Sequence, residues 1–319
     1  MKLLLRNWPR LLGVALVALL LVQADLSGVS DTLGDAHIGG LLIAFALLLP
    51  MVLLKSLRWQ LILAVQGVRL GTVSAYLSYL GSMFLGVVTP GRVGEFARIF
   101  HVTEAHGVSR TFAFSSVLAD RLFDLYLLLI LGALALAAIT GGGGRVAIIV
   151  AIAVAAGIPL VAVFSDTVFG WVLVPVDWAR ARTGKLPWRF FDLLVEVRAG
   201  LRSVTGPALA ASAVLTGAAY ALFFTQAYLI ARAAGIDASF LTVSLVIALG
   251  SLVAILPVSI SGLGTRDAVI VAYLGTEGIQ GDAALGFSIL IFLVFVVGSG
   301  LIGAAAWLAK PVKLGALKS

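Results

Sequence analysis

The sequence predicts an all-α, polytopic membrane helical bundle, and three observations carry that prediction. Of 319 residues, 61% are hydrophobic and only 12% charged, with a mean hydropathy of +1.13; soluble domains run nearer 45–50% apolar and 25% charged. The apolar residues fall into long runs without the alternation of barrel strands, and in lipid only helices and closed barrels satisfy their backbone polar groups. Lysine and arginine gather at the ends of those runs, as they do around membrane spans.

Eight hydrophobic segments follow in order. The first, Trp8–Ala24, comes after Lys2, Arg6 and Arg10. A cleavable signal peptide would share that pattern, but the spans that follow favour an uncleaved helix. An acidic loop with Asp25, Asp31 and Asp35 leads to the second span, Gly39–Leu57, and then to a basic loop holding Lys55, Arg58 and Arg69. The third segment, Thr72–Thr89, meets a break rich in proline, glycine and charge. The fourth, Thr111–Ile139, carries Asp120, Arg121 and Asp124. Gly141–Gly144 separates it from the fifth, Val146–Phe164. Residues 166–206 form a mixed, basic stretch, read as a cytoplasmic loop in which Trp188–Val204 has the apolar spacing of an amphipathic interfacial helix. The sixth span is Pro207–Ile230. The seventh, Phe240–Leu256, ends in a second break, and the last is Ala283–Leu308. The expectation is about six full spans plus two helix-break hairpins, in a single integral membrane domain covering residues 1–319.

Charge orients the chain. Sixteen of the 22 lysines and arginines fall in segments assigned to the cytoplasm, Lys55 and Arg58 among them, against Arg145 and Arg232 outside. That asymmetry places both termini in the cytoplasm of a cell (inner) membrane. It also bears on VVTPGRVGEFAR at 87–98. A full crossing at Thr72–Thr89 would strand Arg92, Arg98 and Arg110 on the wrong side, whereas a re-entrant turn at Pro90 and Gly91 would not. By parity, the break at 256–269 enters from the opposite face. Two oppositely oriented breaks in corresponding halves are the pattern of an inverted-repeat transporter; two unrelated proline kinks are the alternative.

Eight charged residues cluster at the breaks and on the fourth helix: Arg92, Glu95, Arg98, Asp120, Arg121, Asp124, Arg266 and Asp267. Unpaired at mid-membrane they would cost roughly 20 kcal/mol or more, so they pair, meet water or lie near the interface. The spacing allows Arg121 to reach Asp124, and Glu95 to reach Arg98. The bland reading is a set of salt bridges locking the bundle. Arg92, Arg98 and Arg266 adjoin glycine-bearing breaks, where exposed backbone N–H groups and a guanidinium fork make an anion site. Gly91, Gly94, Gly262 and Gly264, with Pro90 and Pro257, open the backbone at the two breaks. Ser115, Ser116, Ser259 and Ser261 are assigned to helix packing.

Other chemistry is absent from the sequence. The chain has no cysteine, and His37, His101 and His106 lack ligand spacing. GLGTRD is not a nucleotide loop, and no Ser-His-Asp, HExxH or EF-hand pattern occurs. No basic domain with aromatic interleaving suggests nucleic acid. No cofactor or metal is expected.

TPGRVGEFAR at 89–98, ADRLFD at 119–124 and LPVSISGLGTRD at 256–267 together resemble the lysylphosphatidylglycerol synthase transmembrane family, also called UPF0104. The family includes the flippase half of the multiple peptide resistance factor. The resemblance spans about residues 10–309 and implies a membrane domain that moves a polar lipid between leaflets. The chain ends at Ser319, so the soluble synthase domain is expected to be absent and synthase activity is not expected. Asp267 departs from the glutamate expected in the second motif. Leading from this, Arg92, Arg98, Arg121 and Arg266 are expected to bind an anionic lipid headgroup, with Glu95, Asp120, Asp124 and Asp267 balancing charge or accepting a coupling proton. The other readings are an intramembrane transferase acting on a phospholipid or polyprenyl phosphate, with Asp120 and Asp124 as bases or magnesium ligands, and a scaffold for a lipid-synthesising partner enzyme.

Overall fold

The computed structural model describes residues 37–140, 142–183, 188–255, 264–279 and 281–309. The first segment, Trp8–Ala24, and most of the second break, with Pro257 and Gly262, lie outside the described residues. All regular structure among the described residues is helical, and five stretches are long and apolar enough to span a membrane.

Helix α1 (Ile38–Val65) runs eight residues beyond the predicted end at Leu57. It packs antiparallel on α8 (Gly206–Ala233): the His37 N–H donates to the Ala233 carbonyl at 3.2 Å at one end, and Arg58 reaches Thr216 at 2.8 Å near the other. A β-carbon on Gly40 would come into ordinary contact, 3.5 Å, with Ala233 and the Leu229 carbonyl, the small-residue packing expected where lipid supplies no hydrophobic drive.

Helix α2 (Thr72–Val88) ends at the opening break. Residues Pro90–Ala97 wind as a 3₁₀ segment, and α3 (Arg98–His106) continues from it. The two arms form a hairpin. Thr89 closes the turn, its hydroxyl donating to the Leu85 carbonyl at 2.9 Å and accepting from the Gly94 N–H at 2.7 Å. The arms then touch backbone to backbone: a β-carbon on Gly94 would collide with the Leu85 carbonyl and lie 2.8 Å from the Gly86 nitrogen. His101 comes to rest 3.0 Å from Ser74, in the first turn of α2, so the chain returns to the end from which it set out.

The remaining long helices are α4 (Arg110–Ile139) and α5 (Gly142–Phe164); α5 shows none of its span fully buried and packs on the side of α4, where the Tyr126 hydroxyl donates to the Ala156 carbonyl at 2.8 Å. Two further helices, α6 (Asp166–Thr183) and α7 (Trp188–Arg202), occupy the basic stretch. The latter coincides in extent with the helix expected at Trp188–Val204, and α6 is an addition to the sequence reading. Helix α9 (Phe240–Ala254) and α10 (Thr265–Thr276) flank the second break, and Gly250 of α9 sits against Arg266 and Ile270 of α10. The last span divides into α11 (Gly281–Ile291), a π-helical stretch Phe292–Gly298 and α12 (Ser299–Ala309). Gly303 of α12 lies against Leu80 and Phe84 of α2.

Candidate functional site

The site is assembled around α4. Asp120 and Asp124 are one turn apart and face the same side, and Arg121 follows them into the bundle. Opposite, α1 presents Lys55 and Arg58, three residues apart. The return arm of the first hairpin presents Arg92, Glu95 and Arg98 across the same space.

Asp120 is fully buried and surrounded by cations. Its Oδ1 pairs with Arg58 Nε at 2.7 Å. Its Oδ2 pairs with Arg98 Nη2 at 2.6 Å and Arg121 Nη2 at 3.2 Å, and accepts from the Tyr79 hydroxyl at 3.1 Å. Asp124 takes Arg58 Nη1 at 2.8 Å, Lys55 Nζ at 3.0 Å and Arg121 Nη2 at 3.3 Å. Glu95 takes Arg92 Nε at 2.8 Å and Arg121 Nη1 at 2.6 Å. Arg121 also donates to the Tyr79 hydroxyl. Aromatic faces complete the packing, with the Arg98 guanidinium 4.3 Å from the Tyr79 ring centroid and 4.8 Å from Trp59, and the Lys55 ammonium 4.4 Å from Tyr220. These contacts hold cations where water cannot.

Above this network lies a cavity of about 290 Å³. Lys55, Arg92, Glu95, Arg121 and Asp124 line one side, and Arg266 reaches it from the second break. Most of the rest of the lining is apolar, including Met51, Met83, Leu125, Phe223 and Phe295. Phe223 and Phe295 stack with centroids 4.6 Å apart, and Phe295 belongs to the π-helical stretch. Both breaks predicted from sequence therefore deliver an arginine to one amphipathic chamber.

The predicted residues fall into distinct places. Arg92, Arg121 and Arg266 line the cavity, as do Glu95 and Asp124. Arg98 and Asp120 do not; they lie fully buried in the network beneath it. Asp267 sits behind Arg266, accepting from it at 2.9 Å, from the Ser288 hydroxyl at 2.5 Å and from the Gly264 N–H at 2.9 Å. That last bond ties the carboxylate to the start of α10, which its partial positive charge favours. Gly264 has φ +78° and Arg92 has φ +58°. Arg92 is the one non-glycine residue in this region of backbone space among the described residues, a conformation costing of order 1–3 kcal/mol. Pro90 and Gly91 open the 3₁₀ segment, and Gly94 makes the close approach. Ser115 and Ser116 bond back to Phe112 and Ala113 at 2.7 Å each, as helix-packing serines do.

Two corrections follow. Lys55 and Arg58, assigned to a cytoplasmic loop, belong to α1 and to the charged network; Arg58 is wholly buried. The pattern that reveals them is the apolar run on both sides, since WQLILAV after Arg58 carries the helix on. The bonding pattern Glu95–Arg98 is also replaced: Glu95 pairs with Arg92 and Arg121, and Arg98 with Asp120. Adding Lys55 and Arg58 changes the charge of the cluster. Eight residues balanced at four and four become six cations against four carboxylates. As for magnesium, Asp120 and Asp124 are already engaged by Lys55, Arg58, Arg98 and Arg121.

Comparison with known proteins places the chain in a family. A UPF0104 membrane protein from Methanothermobacter thermautotrophicus is 23% identical over 310 residues, covering 92% of this chain and 91% of that one. The family model described as the lysylphosphatidylglycerol synthase TM region matches residues 10–303, which contain both breaks and the whole charged network. This multi-pass membrane chain belongs to the lysylphosphatidylglycerol synthase TM region family, a family tied to membrane lipid.

Proposed function

We propose that the protein carries a lipid with an anionic headgroup between leaflets of the membrane. One observation supports this above the others: a single chamber joins a cationic, hydrogen-bonding floor to apolar walls, matching the two halves of a lipid. Arg92, Arg121, Arg266 and Lys55 hold the headgroup in this reading, while Leu, Met and Phe side chains meet the acyl region. Glu95 and Asp124 hold Arg92 and Arg121 in place, and Arg98 with Asp120 braces Arg121. The hairpin at 72–106 is re-entrant from the cytoplasmic face and both termini lie in the cytoplasm, by the charge asymmetry. Transport draws on an ion gradient, a partner or the lipid gradient itself.

The test is lipid translocation in proteoliposomes. Arg92→Ala and Arg266→Ala proteins that fold normally are expected to lose most of their transfer of an anionic, dye-labelled phospholipid. Transfer at the parent rate by both variants would show that the chamber is not the lipid route.

A further inference from the structure

We infer that the headgroup is a lipid phosphomonoester, carrying close to two negative charges, rather than a singly charged phosphodiester. The inference rests on the lipid reading above and specifies its substrate class.

Charge accounting in the chamber carries it. On the α4 side, Lys55, Arg58, Arg92, Arg98 and Arg121 interlock with Glu95, Asp120 and Asp124, each carboxylate within 3.3 Å of at least two cations. Across the cavity, Arg266 and Asp267 make a neutral pair. The described residues of the site therefore hold two more cations than anions, and 256–263 add no titratable side chain (LPVSISGL). With Arg266 neutralised by Asp267, the cavity surface itself carries Lys55, Arg92 and Arg121 against Glu95 and Asp124, one cation in excess, and the second surplus cation lies in the network that it adjoins. A surplus of this kind in a largely apolar chamber is costly unless a ligand neutralises it. A phosphodiester supplies one charge, whereas a phosphomonoester supplies about 1.5 to 2 together with three acceptor oxygens.

Arg121 and Arg266 both line the cavity, and the Nε of each is enclosed without a hydrogen-bond partner, so the protein saturates neither guanidinium. Arg92, whose side chain is 45% exposed, is held at the rim by a left-handed backbone, the kind of strain that marks functional positions. Three of the cavity's four lining cations are arginines, whose guanidinium fork suits phosphate oxygens better than an ammonium group does. The apolar walls select a lipid-borne phosphate over a free one.

The experiment measures equilibrium binding to the purified protein in phosphatidylcholine nanodiscs. The probes are phosphatidic acid and its methyl ester, phosphatidylmethanol, with identical tails and a fluorophore at the tail end. Esterification removes one charge and one oxygen's acceptor strength and little else. Phosphatidic acid is expected to bind about tenfold tighter or more, a modest effect for one unit charge at contact distance. Arg92→Gln and Lys55→Gln each remove one surplus cation and should shrink that ratio to about threefold or less; Arg92→Gln, at an exposed rim, keeps the test independent of folding. Equal binding of acid and ester by the parent protein would overturn the inference. Displacement of phosphatidic acid by millimolar inorganic phosphate would overturn its lipid part. The two readings separate cleanly: if the acid binds selectively and no lipid crosses, transport falls and this stands. If lipids cross but acid and ester behave alike, this falls and transport stands.

Discussion

Because the cluster is net positive, removing an anion should harm the fold more than removing a cation, and Asp120 against Arg58 tests this. Both side chains are fully buried. Asp120 has three guanidinium partners at 2.6–3.2 Å. At an effective dielectric constant near 20, each contact of this kind is worth about 4 kcal/mol gross, about 12 in all, offset by the desolvation recovered when the carboxylate is no longer charged. The net loss for Asp120→Asn is then about 3–5 kcal/mol, the usual cost of breaking a buried pair, and the site is left with three surplus cations. Arg58→Met forfeits two attractions but also relieves repulsion with Lys55, Arg98 and Arg121. Its cost should be nearer 2 kcal/mol on the same scale. Unfolding in mixed micelles by titrated SDS, followed by circular dichroism, measures both. Adding Arg98→Met to Asp120→Asn should restore part of the loss, since the two share a partner. If Asp120→Asn were no more destabilising than Arg58→Met, the surplus of positive charge would not govern this site.

Other outcomes follow from the same structure. Gly94→Ala drives a β-carbon into the Leu85 carbonyl and should destabilise the hairpin by about 1–3 kcal/mol, whereas Gly157→Ala in α5, with nothing within 4 Å, should be neutral or mildly stabilising; the same micelle unfolding reports both. Outside the spans, hydrogen bonds from Arg198 and Arg202 hold the exposed Asp166 carboxyl below its ordinary pKa. Its tether to α7 is therefore present at neutral pH and lost as pH falls below the ordinary carboxylate range; amide exchange in α7 should be faster in Asp166→Asn than in the parent at pH 7, and the difference should shrink as the carboxyl is protonated in acid. The chain has no cysteine, so single replacements report sidedness. Val195→Cys should react with a membrane-impermeant maleimide only from the cytoplasmic face and Asp237→Cys only from the other; the reverse pattern would invert the topology.

The sequence told much of the architecture, for a physical reason. Spans are long apolar runs whose ends are punctuated by charge, and five of the six predicted full spans appear as helices, four of them within a few residues of their expected bounds and Gly39–Leu57 running eight residues longer; the other, Trp8–Ala24, is outside the described residues. The first break was legible because proline, glycine and charge rarely coincide inside lipid. What sequence reasoning could not supply was depth. Lys55 and Arg58 stand at the end of an apolar run, where charge ordinarily marks a loop, and the topological rule counts residues by position along the chain. Their partners lie 62 to 69 residues away, a separation with no local signature. Helix α10 was missed likewise, since TRDAVIVAYLGT is too short and too polar at its start to register as a span.

The misplacement of these two residues had unequal consequences. For orientation it changes little: without Lys55 and Arg58, fourteen basic residues still stand against Arg145 and Arg232. For chemistry it changes the sign of the site. A constellation balanced at four and four needs no ligand, and salt bridges alone would explain it. With two further cations drawn in from α1, internal pairing cannot neutralise the network, because each added residue shares Asp120 or Asp124 with arginines already bound there. Structural locking would be served by equal numbers. An excess of cations beside an apolar chamber is costly unless an anion offsets it, and that cost is what supports the proposed ligand binding over bracing alone.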